Sequence, residues 1–573
     1  MRLCFAFLVA TSLGLLPALA QNGPQSALQN VPNRIYHQHI IVAAHPLAVQ
    51  AGLAILREGG SAADAVVAVQ MVLALVEPQS SGLGGGALAL SFNRANKEVL
   101  GWDGWETAPA AAGPDLFLGR DGNPMPYQEA AIGGRAVGVP GAVRMLEALH
   151  RAQGRLPWER LFAPAIQLAE GGFAVSARLS AAISADSDRL RRQPTARSYF
   201  FLPNGAPLPP GYLLTNRPLA ETLRAIATGG ADALLRGAIA SDIATVVRND
   251  PNPGLITTDD LAAISARSRP AVCGPYRALA VCGVGPPSSG GIGVLQTLSI
   301  LGHFNIAGLD PDGIDVAHLL IESEKLAFAD RAAYVADSDF VPVPIRGLLD
   351  PAYLTGRAQR VDIDHANPAP SAGNPNFRDP GLAPSLPQPE HGTSHIAVID
   401  DFGNAVSMTT TLQDSFGSRL MVRGFLLNDA LTDFAFMPEL SGRKVANRPE
   451  GGKRPRSTMA PSIVFTPEGD LRIVAGSQGG ARIIGYMAQA LMRMIDFGMT
   501  PHQALAAPHI QTTNITAELE AGTGAAELAD ALKARGHVVA VFALESGQVA
   551  VSVTAEGMVG AADPRREGVV DGD

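Results

Sequence analysis

A threonine hydroxyl at the head of an alternating run is the group in this 573-residue chain best suited to chemistry: Thr393, in His391-Gly392-Thr393-Ser394-His395 ahead of Ile396 to Asp400. Such a hydroxyl is a poor nucleophile unless a base lies beside it. One available base is the threonine's own α-amine, freed when the preceding bond is cut. The chemistry suggested is acyl transfer, with Gly392–Thr393 as an autocleavage site. Acyl transfer passes through a tetrahedral oxyanion that needs fixed N–H donors. Gly479-Gly480, at a strand end just before a helix, either presents two backbone amides for this purpose or forms a plain strand-to-helix turn. Thr411 lies on the strand expected to pair with the Thr393 strand, but periodicity alone leaves it open to being a solvent-facing member of Thr409-Thr410-Thr411.

Other hydrolytic chemistries find no support. A Gly-x-Ser-x-Gly elbow and a His-Glu-x-x-His zinc motif are both absent from the sequence, and no Cys/His cluster has metal-ligand spacing. Neither a metal nor a cofactor is expected.

The elements that must position these groups are legible as periodic runs. Ala- and Leu-rich helical spacing marks Leu47 to Leu75, Ala142 to Arg151, Pro157 to Ala169 and Val316 to Tyr334. A proline-rich stretch, Asn367 to Pro389, reads as an exposed loop that stops just before His391, where a chain break is tolerated. Beyond it the period changes to two. Ser394 to Asp400, the turn 401–404 and Ala405 to Leu412 predict a hairpin, and Ser462 to Phe465 with Leu471 to Ala475 predict a second. A helix is expected over Ala481 to Phe497, with strands over Val538 to Ala543 and Gln548 to Val553. Helices on either side of antiparallel hairpins suit an α+β fold in which sheets pack on each other and helices cover the outside.

With 47% hydrophobic and 17% charged residues the chain can bury a large core, as one big or two intimate domains. A net charge of -9 without any basic block argues against a nucleic-acid or anionic-membrane partner. Met1-Arg2-Leu3, the apolar run Cys4 to Leu16 and Ala18-Leu19-Ala20 before Gln21 read as a signal peptide, residues 1–20, with a retained anchor as the alternative. The protein is then expected to be secreted, or periplasmic in a Gram-negative source, with no membrane span after cleavage. Signal removal leaves Cys273 and Cys282, an even pair that favours a disulfide across a hairpin, against two buried thiols.

Taken in order, these segments resemble the γ-glutamyltranspeptidase (γ-glutamyltransferase) family. The early matches are Gly59 to Ala65, Gly82-Leu83-Gly84-Gly85-Gly86, Glu106-Thr107-Ala108-Pro109 and Pro286 to Gly291. The more specific ones are Gly392-Thr393-Ser394-His395, Phe416-Gly417-Ser418, Asp433-Phe434, Lys453-Arg454-Pro455 and Gly476-Ser477-Gln478-Gly479-Gly480. The resemblance implies the four-layer αββα sandwich of N-terminal nucleophile hydrolases and a precursor that cuts itself into a large subunit, 21–392, and a small subunit, 393–573. It implies Thr411 as hydrogen-bond partner of the nucleophile and Gly479-Gly480 as oxyanion hole. It further implies Ser457 and Thr458 as ligands of a donor α-carboxylate and Asp433 as ligand of its α-ammonium.

Three positions depart from the family pattern. Trp105 stands where an arginine grips the donor carboxylate, Gln413 where asparagine is usual, and Ala430 where Gln or Glu is usual. Indole has one N–H and no charge, so γ-glutamyl recognition is expected to weaken, with Trp105 stacking on a bulkier or less charged acyl group. Ala435 to Gly452, matching the family's lid, contains no tyrosine, which would leave a more open pocket. The leading expectation is a self-processing γ-glutamyltransferase-like amidohydrolase acting on glutathione or a related acyl amide, with an amine or water as acceptor. The alternatives are an acylase of cephalosporin or glutaryl type, and a processed ligand-binding protein of weak catalytic power.

Overall fold

The computed structural model describes residues 34–385 and 392–573. The expected signal peptide, Cys4 and His391 lie outside the described residues.

Two antiparallel sheets form the centre. The first has seven strands in the order Val569–Gly572, Ile40–Ala43, Ser394–Ile399, Ala405–Thr411, Gly86–Asn93, Glu98–Gly104, Arg267–Pro270. The second has six, in the order Gly557–Ala562, Val549–Thr554, Leu471–Gly476, Ser462–Phe465, Leu279–Gly283, Val272–Tyr276. Both predicted hairpins are present at the predicted turns.

Alternation along the Thr393 strand sets the layers. Ile396 and Val398 join a cluster with helix Ala62–Val76, while Ala397 and Ile399 join Ile463, Val474 and Val551 of the second sheet. On the far side of the second sheet, Val464 and Ile473 pack with helices Gly290–Leu301 and Ile483–Asp496. The result is helix, sheet, sheet, helix, the αββα arrangement.

The expected helix over Leu47 to Leu75 is two helices, Pro46–Arg57 and Ala62–Val76, because Gly59 takes a φ of 85°. Ser61 caps the second through a reciprocal pair of bonds with Asp64. Asp400, closing the first hairpin, accepts from the backbone N–H of Ala62 at 2.9 Å and so ties the Thr393 hairpin to that helix. The segment expected as a strand over Val538 to Ala543 is Val539–Phe542, and it belongs to a separate small sheet, parallel to Ala517–Glu520. Cys273 and Cys282 occupy directly paired positions of the hairpin at the edge of the second sheet and are joined in a disulfide. Pro275 sits on the outermost strand, where a missing N–H removes no ladder bond.

Candidate active site

Thr393 immediately precedes a central strand of the first sheet, and Thr411 ends the neighbouring one. Ser394 pairs with Thr410, so one further step of register sets Thr411 opposite Thr393. By the same alternation as Ala397 and Ser407, both threonines belong to the row that faces the second sheet. Both are buried, which removes the solvent-facing reading of Thr411.

Their hydroxyls converge on one atom. The Thr393 hydroxyl contacts the Gly392 carbonyl oxygen, and Thr411 Oγ1 donates to the same oxygen at 2.8 Å. Thr411 Oγ1 in turn accepts from the Gln413 backbone N–H at 2.8 Å, which leaves its proton free for the carbonyl. Gln413 holds a φ of 83°, and its side-chain amide donates to Asp433 Oδ1. A single chain of bonds thus runs from Asp433 through Gln413 and Thr411 to the Gly392–Thr393 bond.

From the second sheet, strand Leu471–Gly476 leads into Gly479 and Gly480, with φ of 128° and 59°. These are conformations that favour glycine, and a Cβ at Gly479 would also lie 2.6 Å from Tyr486 Cε2. Thr458 Oγ1 donates to the Gly480 carbonyl at 2.9 Å, so the Ser457-Thr458 segment is joined to the Gly-Gly turn. That segment is clamped from below: the Ser457 N–H donates to Pro287 O, and Ser289 donates to Ser457 O. Asn447 donates to Asp433 O at 2.6 Å and accepts from the Arg456 N–H at 2.9 Å, holding Asp433 beside this segment.

Trp105 differs from expectation. Its side chain is fully buried, within the cluster between the sheets that also contains Ala430 and Met459, and its indole N–H donates to Pro455 O at 2.9 Å. No face of the indole is open for a donor to stack upon. Trp105 instead supports, from behind, the chain that carries Ser457 and Thr458. Two of the three departures, Trp105 and Ala430, are thus parts of one apolar packing arrangement. The neighbouring Glu106 is also fully buried, with no side-chain partner for its carboxylate among the described residues; burial, with Asp429 and Asp103 nearby, pushes its pKa well up.

The segment expected to match the family's lid contains a short hairpin, Glu439–Leu440 with Arg443–Lys444, and Phe436 just before it stacks on Phe117 at 4.4 Å.

Two supports escaped the sequence reading. Ser394 Oγ donates to Glu77 at 3.0 Å, fixing the residue after Thr393 to the end of helix Ala62–Val76. His395 faces the second sheet, with Nδ1 2.8 Å from Thr409 Oγ1 and Nε2 3.2 Å from Ser407 Oγ. Ser407 gives its own proton to Ala475 O, so His395 Nε2 must carry the hydrogen and Nδ1 must accept. A Cβ at Gly476 would fall 1.9 Å from the His395 ring, so this glycine is what lets the Thr393 strand and the Gly479 strand approach each other. Both partners are distant in the chain, and no local pattern announces them.

Among the described residues no group of three or more His, Cys, Asp or Glu could hold a metal ion. No helix among them is long and apolar enough to cross a membrane.

The family model for gamma-glutamyltranspeptidase matches residues 48–572. The chain is 36% identical to the glutathione hydrolase proenzyme of Bacillus subtilis (strain 168), over 93% of this chain and 91% of that one. It is 35% identical to the Acylase ACY 1 proenzyme of Pseudomonas sp. (strain SE83), over 92% of each. Among solved structures, cephalosporin acylase from Bacillus halodurans superposes with a TM-score of 0.83 at 27% identity, covering 95% of this chain and 98% of that one.

Proposed function

The chain belongs to the gamma-glutamyltranspeptidase family, and on that premise we propose that Thr393 is the nucleophile first of its own release and then of substrate turnover. The observation that carries this reading is the convergence of the Thr393 and Thr411 hydroxyls on the Gly392 carbonyl. In self-cleavage Thr393 Oγ1 attacks the Gly392 carbonyl carbon, while the Thr411 hydroxyl polarises its oxygen. The C–N bond breaks, the proton passes to the new amine, and a Gly392 ester remains on Oγ1. Water then hydrolyses that ester. The products are a large subunit ending at Gly392 and a small subunit beginning at Thr393. With export, the large subunit begins at Gln21.

In turnover the α-amine of Thr393 takes the hydroxyl proton as Oγ1 attacks the carbonyl carbon of an amide donor. The oxyanion accepts N–H bonds from Gly479 and Gly480, the amine leaves with the proton, and an acyl ester forms. Water or a second amine then takes the acyl group. Asp433, oriented by Gln413, faces a donor ammonium, and Ser457 and Thr458 offer hydroxyls to a donor carboxylate. The donor class is a γ-glutamyl compound such as glutathione.

The specific observation favouring an acylase is Trp105. The indole at position 105 is buried and spends its one N–H on Pro455 O, so this position offers a donor carboxylate no charged fork. Intact mass tests the nucleophile: wild type should yield two chains and Thr393→Ala one. Turnover of γ-glutamyl, glutaryl and larger acyl anilides by wild type and Trp105→Arg then assigns the donor. A wild type that uses γ-glutamyl anilide as well as the arginine variant does would overturn the Trp105 argument. Cleaved protein that turns over none of them would leave the binding-protein reading.

A further inference from the structure

Gly479 and Gly480 are braced by a buried polar group that the proposed mechanism does not use. Tyr486, whose ring lies where a Gly479 side chain would project, packs at 4.3 Å on the ring of His509. His509 Nε2 lies 2.6 Å from Ser546 Oγ, and Ser546 Oγ bonds Asp563 Oδ2. All three polar residues are buried. The order of protons follows from the acceptors. Asp563 accepts from the Arg565 N–H at 2.9 Å, the Arg565 guanidinium at 3.2 Å and the Gln548 N–H at 3.3 Å, so it is an ionised carboxylate and takes the Ser546 proton. Ser546 Oγ then accepts from His509 Nε2–H. Burial, with Arg565 and Arg493 nearby, pushes the His509 pKa well down and keeps the ring neutral; its Nδ1 makes only a looser contact, 3.3 Å from Gln489 Oε1.

Two further contacts carry this relay to the turn. Gln548 is tied to Asp563 at both its N–H and its carbonyl, and its side-chain amide donates to the Tyr486 carbonyl at 2.7 Å. At Gly547 a Cβ would lie 2.6 Å from Cδ of Gln478, the residue before Gly479. The segment 546–548 therefore touches the chain on both sides of the Gly-Gly pair, at Gln478 ahead of it and at Tyr486 after it. His509, Ser546, Gln548 and Asp563 do not line the cavity that borders Gly479. Their influence on a substrate must pass through the turn.

We infer that His509, Ser546 and Asp563 are positioning residues, which fix the amide directions of Gly479 and Gly480 through Tyr486 and the segment 546–548. Oxyanion donors stabilise a transition state because they are aimed in advance and need not reorganise during reaction. The inference rests on Gly479 and Gly480 being the oxyanion donors of turnover. In self-cleavage the Gly392 oxygen is instead served by Thr411. The relay should then govern turnover and leave self-cleavage alone.

The test uses the full chain of wild type and three variants, with an intact-mass time course for self-cleavage and steady-state kinetics on one acyl anilide for turnover. Ser546→Ala removes the bridge, His509→Phe keeps a ring against Tyr486 without the N–H, and Gln548→Met keeps the length of the side chain without its donor. In each, kcat should fall about tenfold, the effect of losing one buried hydrogen bond, while KM and the self-cleavage rate stay within about twofold of wild type. A kcat equal to that of wild type in all three overturns the proposal, even if urea unfolding shows them less stable. So does a rise in KM with kcat held. Loss of self-cleavage in step with turnover makes these residues supports of the whole fold and overturns it as well. A wild type that cleaves itself but whose kcat is indifferent to Gly479→Ala strikes instead at the oxyanion reading, and the positioning role falls with it.

Discussion

Thr411 Oγ1 donates to the Gly392 carbonyl at 2.8 Å, the carbonyl whose carbon Thr393 attacks in the proposed self-cleavage. The bond pulls electron density from the reacting carbon before attack and steadies the oxygen as it becomes an oxyanion. Thr411→Val keeps the shape of the side chain but removes both the donor to Gly392 O and the acceptor of the Gln413 N–H. Self-cleavage should slow by about 10²-fold, within the range seen when one oxyanion donor is removed. A time course of intact mass reads this directly, and cleavage at the wild-type rate would exclude Thr411 from the step.

Gly479 is held at a φ of 128° with the Tyr486 ring where a side chain would project. Gly479→Ala introduces backbone strain of about 1 to 3 kcal/mol and turns the amide away from the proposed oxyanion position. The expected result is a fall in kcat of about 10²- to 10³-fold with little change in KM. Steady-state kinetics on the processed variant distinguishes this from a binding defect, in which KM would rise and kcat would hold.

What could be read from the sequence depended on whether the controlling interactions were local. The Thr393 strand and its hairpin were legible because alternation and turn residues lie within a few positions of each other, and the same alternation carries Thr393 and Thr411 to one face. The direction of the Trp105 side chain was not legible. A tryptophan serves equally as a substrate platform or as a core residue with one satisfied N–H, and its partner, the Pro455 carbonyl, lies far along the chain. The same distance hid the His395–Gly476 approach.

Because Trp105 holds Pro455, its influence should reach the substrate through Ser457 and Thr458. Trp105→Phe keeps the apolar volume but leaves a buried carbonyl without its donor, at a cost of about 1 to 3 kcal/mol. Self-cleavage should stay within about twofold of wild type, while KM for the preferred donor rises by about tenfold or more. Equal losses in self-cleavage and donor binding would mean that Trp105 acts on the nucleophile rather than on the donor segment.

His395 is the buried group whose titration bears most directly on the site, since it joins the Thr393 strand to the strand ending at Gly479. Burial holds its pKa at about 3, against 6.5 for an unhindered imidazole. Between these values the unfolded chain binds a proton that the folded chain refuses, so ν_U exceeds ν_N and stability rises with pH. The contribution is complete above pH 6.5 and is lost as pH falls toward 3, at up to about 1.4 kcal/mol per pH unit. Other titrating groups cancel when Thr393→Ala is compared with Thr393→Ala/His395→Asn, both uncleaved. Urea unfolding should show the second protein less stable at pH 7.5, and the gap should narrow steadily between pH 6.5 and 4.5. A gap that is constant across that range would mean that His395 is protonated in the folded state and that the neutral bridge between the two sheets is wrong.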